Sequence, residues 1–184
     1  MGLSFKVSAF SFFQTNSRGA EVLYKHVLDM IGEEGELAYD LYCGTGTISQ
    51  VIAPKFKKVI GIDIIDDAIM AAKENAELNH ISNCDFFCGD VGKTLAKLQV
   101  LQSMGEPKAD LVIVDPPRDG LSPKAIPLIT SLSPKRLIYV ACKPKSLARD
   151  LPLLASSGYV PTDIKAVDMF PRTPHVECIC LLEN

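Results

Sequence analysis

Residues 40–47 read Asp-Leu-Tyr-Cys-Gly-Thr-Gly-Thr, with an apolar strand pattern leading into them and a helical pattern leaving them. Gly44 and Gly46 let the backbone turn sharply and let a ligand approach without a Cβ in the way. Seventeen residues after Gly46, Asp63 ends the next strand, where it is placed to accept hydrogen bonds from two ribose hydroxyls. These features predict a nucleotide-binding turn, and the alternative is a tight strand–helix turn without a ligand.

The third position of the glycine pattern indicates which nucleotide is bound. A dinucleotide fold takes a third small residue, glycine or alanine, in Gly-x-Gly-x-x-Gly, and Ser49 stands there. No second mononucleotide-binding half follows in the sequence. We therefore predict S-adenosylmethionine rather than NAD as the cofactor.

Strand and helix patterns alternate along the chain on both sides of this turn. A helix is predicted from Ser17 to about Ile31, with Gly32 as its stop. Strands are predicted at residues 37–42, 58–63, 85–88, 110–114 and 136–141, and helices up to residue 54 and at 66–80, 91–102 and 146–156. Residues 159–182 hold two strands joined around residues 171–174.

This order predicts an α/β fold built on a doubly wound, mostly parallel sheet of about seven strands. The last two strands have no helix between them and predict an antiparallel C-terminal hairpin at one edge. Ligands of such sheets bind at the carboxyl ends of the strands, near the switch point, and every motif described below falls at such an end.

The composition is that of one compact domain. The 184 residues are 47% hydrophobic and 22% charged, which excludes a disordered or collagen-like chain. No apolar run approaches the roughly 18 residues of a membrane span, and no secretory signal is recognisable, so a cytoplasmic protein without membrane contact is expected. The net charge of −3 argues against a domain that holds nucleic acid by bulk electrostatics.

The six cysteines are expected to be reduced thiols rather than a disulfide framework. Cys84 and Cys88 have a spacing with which a metal site could begin, but no second Cys/His pair at zinc-like spacing follows, so no metal is predicted. Cys178 and Cys180 alternate along an apolar strand and are expected to be small buried side chains.

A second motif, Asp-Pro-Pro-Arg-Asp-Gly at residues 115–120, follows a strand of buried type. The two prolines stiffen the exit loop, and Asp115 at the strand tip can reach a ligand. Amino-group methyltransferases often carry an aromatic residue after Pro-Pro that holds a flat base, whereas Arg118 stands here. This argues against N-methylation, and the alternative is a rigid loop with a surface arginine.

Cys142 lies where the fifth predicted strand ends and the next helix begins. Backbone N–H groups at a helix start and the neighbouring Lys143 are expected to stabilise a thiolate, which makes this cysteine a candidate nucleophile near neutral pH. A buried structural thiol is the alternative.

Glu177 begins an otherwise apolar strand. Alternation places His175, Glu177 and Ile179 on one face, and Cys178 and Cys180 on the other. A carboxylate that enters a sheet is costly unless it is paired or functional, and a desolvated glutamate has a raised pKa that suits proton transfer. The alternatives are a solvated strand end for Glu177 and a surface or capping role for His175.

Together these motifs resemble the RNA uracil-5 methyltransferases, the family of the bacterial 23S ribosomal RNA and tRNA T-loop uridine enzymes. The family pattern Asp-Pro-Pro-Arg-x-Gly, followed by Tyr-x-Ser-Cys-Asn, corresponds to residues 115–120 and 139–143. Its terminal Asp-x-Phe-Pro-x-Thr-x-His-x-Glu and early Phe-Phe-Gln-x-Asn patterns correspond to residues 168–177 and 12–16. The departures are Ala141 and Lys143 beside the cysteine, and Arg172 where Gln or His is common.

The resemblance implies a class I S-adenosylmethionine-dependent methyltransferase domain, Rossmann-like, at residues 17–184, with a lead-in at residues 1–16. It also implies that the family's N-terminal RNA-binding domains, and a central domain that in some members holds an iron–sulfur cluster, are absent from this chain. The implied activity is methylation of carbon 5 of a uridine in RNA, with 23S rRNA favoured over tRNA and no protein partner.

Residue roles follow from the resemblance. S-adenosylmethionine contacts are implied for Gln14, Tyr42, Asp63 and Asp115, with Gly44 shaping the turn, Asp90 near the adenine, Cys142 as the nucleophile and Glu177 as the general base. Two alternatives stay open. One is an amino-group or small-molecule methyltransferase that does not need the cysteine, and the other is a module that binds the methyl donor and turns nothing over.

Overall fold

The computed structural model describes residues 2–6, 14–103 and 108–184. Within them lie seven strands, six α-helices and one 3₁₀ turn at Ala53–Lys55. The helices are α1 (Ser17–Ile31), α2 (Thr47–Ile52), α3 (Asp66–Leu78), α4 (Val91–Ser103), α5 (Ala125–Ser131) and α6 (Pro144–Ala155). The strands are β1 (Gly35–Leu41), β2 (Phe56–Asp63), β3 (Cys84–Cys88), β4 (Leu111–Val114), β5 (Arg136–Ala141), β6 (Val160–Val167) and β7 (Glu177–Glu183).

The strands form one sheet in the order β3-β2-β1-β4-β5-β7-β6. Strands β1 to β5 are parallel, and β7 lies between β5 and the edge strand β6 and runs antiparallel to both. The predicted fold class and C-terminal hairpin are therefore confirmed. The strand order reverses between β1 and β4, so the carboxyl ends of these two central strands flank the switch point at which such sheets bind ligands.

Alternation along the strands gives the sheet two buried faces. On one face, Leu37 and Tyr39 of β1 join a core that α4, α5 and α6 cover. On the other face, Ala38 of β1 and Val140 of β5 pack in the core beneath α1 and α2. Helices therefore shield both faces, which is why the central strands are almost continuously apolar.

The differences from the sequence predictions are small. Helix α5 was not predicted, because it is short and carries Pro127 in its first turn, where proline is tolerated but obscures the helical pattern. Strands β1 and β2 begin two residues earlier than expected. Phe12 and Phe13 of the early signature lie outside the described residues. Within the described part of the chain, none of the helices has the length and hydropathy that a bilayer span requires.

Candidate active site

The turn between β1 and α2 has the backbone geometry that its glycines predict. Gly44 and Gly46 take left-handed φ angles of 51° and 73°. A Cβ on Gly46 would lie 2.7 Å from the ring of Phe86, whereas nothing lies within 4 Å of the corresponding position on Gly44. Tyr42 also has a positive φ of 64°, a strain that tends to occur at functional sites. The turn is therefore packed on one side and open on the other.

A cavity of about 520 Å³ opens beside this turn, at the carboxyl ends of β1, β2, β4 and β5. It brings together all but one of the site residues predicted from sequence, namely Gln14, Tyr42, Gly44, Asp63, Asp115, Cys142 and Glu177. The exception is Asp90, which is exposed at the start of α4, where its Oδ1 accepts a hydrogen bond from the Lys93 N–H at 2.9 Å.

Asp63 closes the glycine turn from the end of β2. Its Oδ2 accepts a hydrogen bond from the Gly44 N–H at 2.9 Å, and its Oδ1 accepts one from the Ile65 N–H at 3.0 Å. Each carboxylate oxygen has a second lone pair, so Asp63 keeps acceptor capacity toward the cavity that it lines. Burial, together with the charges of Asp90 and Asp63, raises the pKa of the Tyr42 hydroxyl, which therefore stays protonated as a donor.

The cavity is rich in acid. Four carboxyl groups line it, those of Asp40, Asp63, Asp115 and Glu177, and Arg118 is the one Lys or Arg in the lining that the structure describes. Burial raises the pKa of Asp115 well above its usual range, and the charges of Glu177 and Asp40 raise it further. Burial also raises the pKa of Glu177, as the sequence predicts. A cationic ligand would relieve this crowding of negative charge.

Asp40, which opens the 40–47 stretch, is a further site residue that was not predicted from sequence. It is fully buried at the end of β1, and its Oδ2 accepts a hydrogen bond from the Ser49 Oγ at 2.5 Å. Its Oδ1 has no hydrogen-bond partner among the described residues. Burial raises the pKa of Asp40 to about 7. A buried acid within the apolar alternation of β1 was the signal that could have identified it.

Replacing Asp40 with Asn is expected to stabilise the ligand-free protein at pH 8. Because the folded pKa of about 7 lies above the usual 3.8, the free energy of unfolding falls as pH rises between these values. Each pKa unit is worth about 1.4 kcal/mol, so this group removes up to about 4 kcal/mol across that range. The Asn variant does not ionise, so its free energy of unfolding should not show this decrease. Chemical unfolding of both proteins at pH 5 and pH 8 measures the difference.

Asp110 supplies the matched control for this experiment. Although partial burial acts to raise its pKa, hydrogen bonds from Lys135 and from two backbone N–H groups outweigh that effect and lower the pKa. Asp110→Asn is therefore expected to destabilise the protein at pH 8, the opposite sign. Equal pH slopes for wild type and Asp40→Asn would contradict the assignment of Asp40 as a buried acid without a counter-charge.

The antiparallel pairing of β5 with β7 brings the two candidate reactive groups together. Ala141 is the register partner of Cys178, so one step further along the same register Cys142 faces Glu177. Both residues line the cavity, and Glu177 is 4% exposed. Residues separated by 35 positions in sequence therefore meet at the cavity wall.

The prediction of a stabilised Cys142 thiolate was wrong. Burial raises the pKa of the Cys142 thiol, the negative charges of Glu177 and Asp115 raise it further, and Arg118 opposes them only in part. Lys143 and the start of α6, on which that prediction depends, are only the local neighbours of the thiol. Lys143 is exposed, and the pKa of the thiol is set by burial first and then by charged groups on β7 and in the loop after β4.

Two further features were not anticipated from sequence. Tyr24 of α1 lines the cavity and hydrogen-bonds Thr47, and burial raises the pKa of its hydroxyl, as do the charges of the nearby carboxylates. Arg118, which also lines the cavity, has an Nη 3.3 Å from His175 Nδ1, and the His175 ring meets Phe170 edge-on with centroids 6.4 Å apart. The Tyr24–Thr47 and Arg118–His175 contacts are not local sequence patterns, because each joins separate segments of the chain.

The described residues hold no metal-type cluster of three or more His, Cys, Asp or Glu side chains, and all six cysteines are free thiols. Cys180 is buried in the core as expected, whereas Cys178 is half-buried.

The strand order, reversed last strand and turn at the switch point define a class I methyltransferase fold. Within that class, the family model of tRNA (uracil-5-)-methyltransferases matches residues 2–184, and the chain belongs to this family. The family predicted from sequence is therefore confirmed.

Relatives and solved structures agree with this assignment. An uncharacterised RNA methyltransferase of Caldanaerobacter subterraneus is 50% identical over 100% of this chain and 40% of its own length, and one of Clostridium tetani is 47% identical over 97% and 38%. The Pyrococcus abyssi tRNA (uracil-54, C5)-methyltransferase, solved with S-adenosyl-L-homocysteine, superposes with a TM-score of 0.81 at 34% identity, covering 98% of this chain and 42% of that one. The chain thus spans about two fifths of the length of these proteins.

Proposed function

We propose that the chain binds S-adenosylmethionine in the cavity beside the glycine turn and methylates carbon 5 of a uridine in RNA. The observation that carries the proposal is the placement of Cys142 opposite Glu177 on the wall of an acid-lined cavity, in a chain of the uracil-5 methyltransferase family. When bound, the cofactor supplies an electrophilic methyl group on a sulfonium.

The residues of the cavity fit this cofactor. Its sulfonium and ammonium groups are cations, and the cavity has an excess of carboxylates together with an unpartnered buried oxygen on Asp40. Asp63 has acceptor capacity for ribose hydroxyls, and Gly44 leaves open space where a Cβ would intrude. Contacts from Gln14, Tyr42 and Asp115 fit their positions in the lining. The role of Asp90 near the adenine stays a prediction, because Asp90 lies outside the lining.

The chemistry of uracil explains why two protein groups are needed. Carbon 5 is a poor nucleophile toward a methyl group. The Cys142 thiolate adds to carbon 6, forming a C–S bond and shifting the 5,6 π-electrons into an enolate, which makes carbon 5 reactive. After methyl transfer, Glu177 takes the proton from carbon 5, the electron pair re-forms the double bond, and the C–S bond breaks to return the thiolate.

The electrostatics of the site suit this sequence of steps. The raised pKa of Glu177 makes it a stronger base for the carbon-bound proton, and burial is the cause of that rise. Arg118 is the positive group that favours the Cys142 thiolate, against the two neighbouring carboxylates. A stacked uridine cannot be reached by both groups, so a flipped or single-stranded uridine is the expected substrate.

The RNA class is 23S rRNA in our proposal, as favoured from the sequence resemblance, and tRNA is the alternative. The family's description and the Pyrococcus abyssi neighbour name tRNA. Incubating the protein with each RNA and mapping 5-methyluridine in the products decides between them.

Asp63→Ala is expected to weaken binding of S-adenosylmethionine about 10- to 100-fold, the effect of losing charge-assisted hydrogen bonds worth roughly 1.5–3 kcal/mol. Isothermal titration calorimetry measures the loss. Asp67→Ala removes the same charge from the first turn of α3 and should bind the cofactor as wild type does. Equal affinity of the Asp63 variant and wild type would place the cofactor elsewhere.

A second experiment separates catalysis from donor binding alone. A short uridine-containing RNA hairpin is offered with S-adenosylmethionine at low salt, where phosphate contacts are strongest. Methylation by this chain supports the full reaction. Donor binding without methylation, at any RNA concentration, supports the binding module. Methylation that survives loss of Cys142 supports an amino-group or small-molecule methyltransferase.

A further inference from the structure

Helix α6 holds the loop that carries Arg118. The Ser146 Oγ donates a hydrogen bond to the Arg118 carbonyl at 2.5 Å, and the Arg149 guanidinium donates to the carbonyls of Asp119 at 2.6 Å and Leu121 at 3.3 Å. The loop follows β4, and α6 begins two residues after Cys142. These bonds therefore join the two segments that carry Arg118 and the reactive thiol.

Asp150 is the centre of this arrangement. Its carboxyl is fully buried, and its Oδ2 accepts hydrogen bonds from the Tyr139 hydroxyl and the Leu121 N–H, both at 2.8 Å. Its Oδ1 accepts a hydrogen bond from the Arg149 Nε at 2.8 Å and forms an ion pair with Arg149 Nη2 at 2.7 Å. Burial and the hydrogen bond to Asp150 raise the pKa of Tyr139, so its hydroxyl remains the donor. All donors to this carboxylate come from β5, α6 or the loop.

The glycine of the Asp-Pro-Pro-Arg-Asp-Gly motif fits against the same group. Gly120 has a left-handed φ of 73°, and a Cβ there would lie 2.5 Å from Asp150 Oδ2 and 2.7 Å from Arg149 Nη2. Each residue from 118 to 121 is thus bonded to α6 or packed against it. Helix α6 therefore fixes the position of the loop.

We propose that Asp150, together with Arg149 and Tyr139, positions the Arg118 loop relative to Cys142. The inference rests on the proposed function for its catalytic consequence, but its geometric content does not. Tyr139 lies three residues before Cys142, and Arg149 lies seven residues after it. The network therefore links the segments on both sides of the reactive thiol to the neighbouring loop. Asp150, Arg149 and Tyr139 do not line the cavity, so they are positioning residues.

The test measures alkylation of Cys142 by iodoacetamide across pH 7–10, resolved by peptide mass spectrometry, without RNA or cofactor. Glu177, Asp115 and Arg118 are the charged groups that act on this thiol. Arg149→Gln and Asp150→Asn free the loop and should slow alkylation at pH 8 about three- to tenfold, the effect of a pKa rise of about half to one unit. Arg118→Met should give the same direction of change.

Tyr139→Phe removes one hydrogen bond and should have a smaller effect of the same sign; it keeps the test valid if Asp150→Asn fails to fold. Asp110→Asn is the matched control, because Asp110 also binds two backbone N–H groups, at the opposite end of the sheet. It should leave alkylation unchanged. In methylation assays the network variants should lower kcat about tenfold, a barrier increase of about 1.4 kcal/mol, with unchanged cofactor affinity.

Alkylation of Cys142 at the wild-type rate in both Arg149→Gln and Tyr139→Phe would overturn the inference. Altered alkylation in a protein whose wild type methylates no uridine would support the positioning role while refuting the proposed function. Normal methylation by wild type and by all network variants would support the proposed function while refuting the positioning role.

Discussion

Cys142→Ala is expected to reduce methyl transfer to RNA to background, a loss of roughly 10⁴-fold or more, since the variant lacks the nucleophile that activates carbon 5. Without addition at carbon 6, uracil presents no enolate to the methyl group. The readout is incorporation of labelled methyl from S-adenosylmethionine into RNA. The donor end of the cavity, around Gly44 and Asp63, is left intact, so cofactor affinity should stay within about threefold of wild type.

Cys88→Ala is the control for this experiment. Cys88 is an exposed thiol at the end of β3, outside the cavity lining, so its loss should leave methylation unchanged. A Cys142→Ala protein that still methylates uridine would contradict covalent catalysis and favour an amino-group or small-molecule methyltransferase.

Glu177→Gln is expected to stop the reaction one step later. The amide cannot accept the proton at carbon 5, so the methylated, cysteine-linked RNA should accumulate while turnover falls by roughly 10²–10⁴-fold. Intact-protein mass spectrometry would show a species heavier by the RNA and one methyl group. The residue keeps its size at a buried position, so folding should be preserved.

Glu183→Gln, at the other end of the same strand, is the matched control. Glu183 pairs with Arg136 and is distant from the cavity lining, so this variant should turn over without an adduct. Wild-type turnover by Glu177→Gln, with no adduct, would remove Glu177 from the mechanism.

Most of the fold could be predicted from sequence because its signals are local. Alternation of apolar strands with amphipathic helices gives a doubly wound sheet, and the absence of a helix between the last two strands gives the hairpin. The insertion of β7 between β5 and β6 is not local, since it depends on a long-range pairing such as Ala141 with Cys178. Helix α5 was not predicted because it is only seven residues long and contains Pro127.

In the candidate site, properties that depend on contacts between distant segments could not be predicted from sequence. Glu177 was expected to have a raised pKa because one strand pattern shows its burial, and the structure agrees. Cys142 was expected to have a stabilised thiolate, and the opposite holds because burial raises the pKa of the thiol and the charges of Glu177 and Asp115 raise it further. Asp40 lines the cavity, and its hydrogen bond from Ser49 depends on the packing of α2 on β1, which no local sequence pattern shows.

The most direct test of the account uses RNA in which the target uridine carries fluorine at carbon 5. Fluorine cannot leave as a cation, so after methyl transfer Glu177 finds no proton to remove and the C–S bond cannot break. We predict a stable covalent complex of wild-type protein, RNA and one methyl group, dependent on S-adenosylmethionine and mapped to Cys142 by peptide mass spectrometry. Release of methylated RNA with no covalent complex, from a protein that methylates ordinary uridine, would contradict the mechanism.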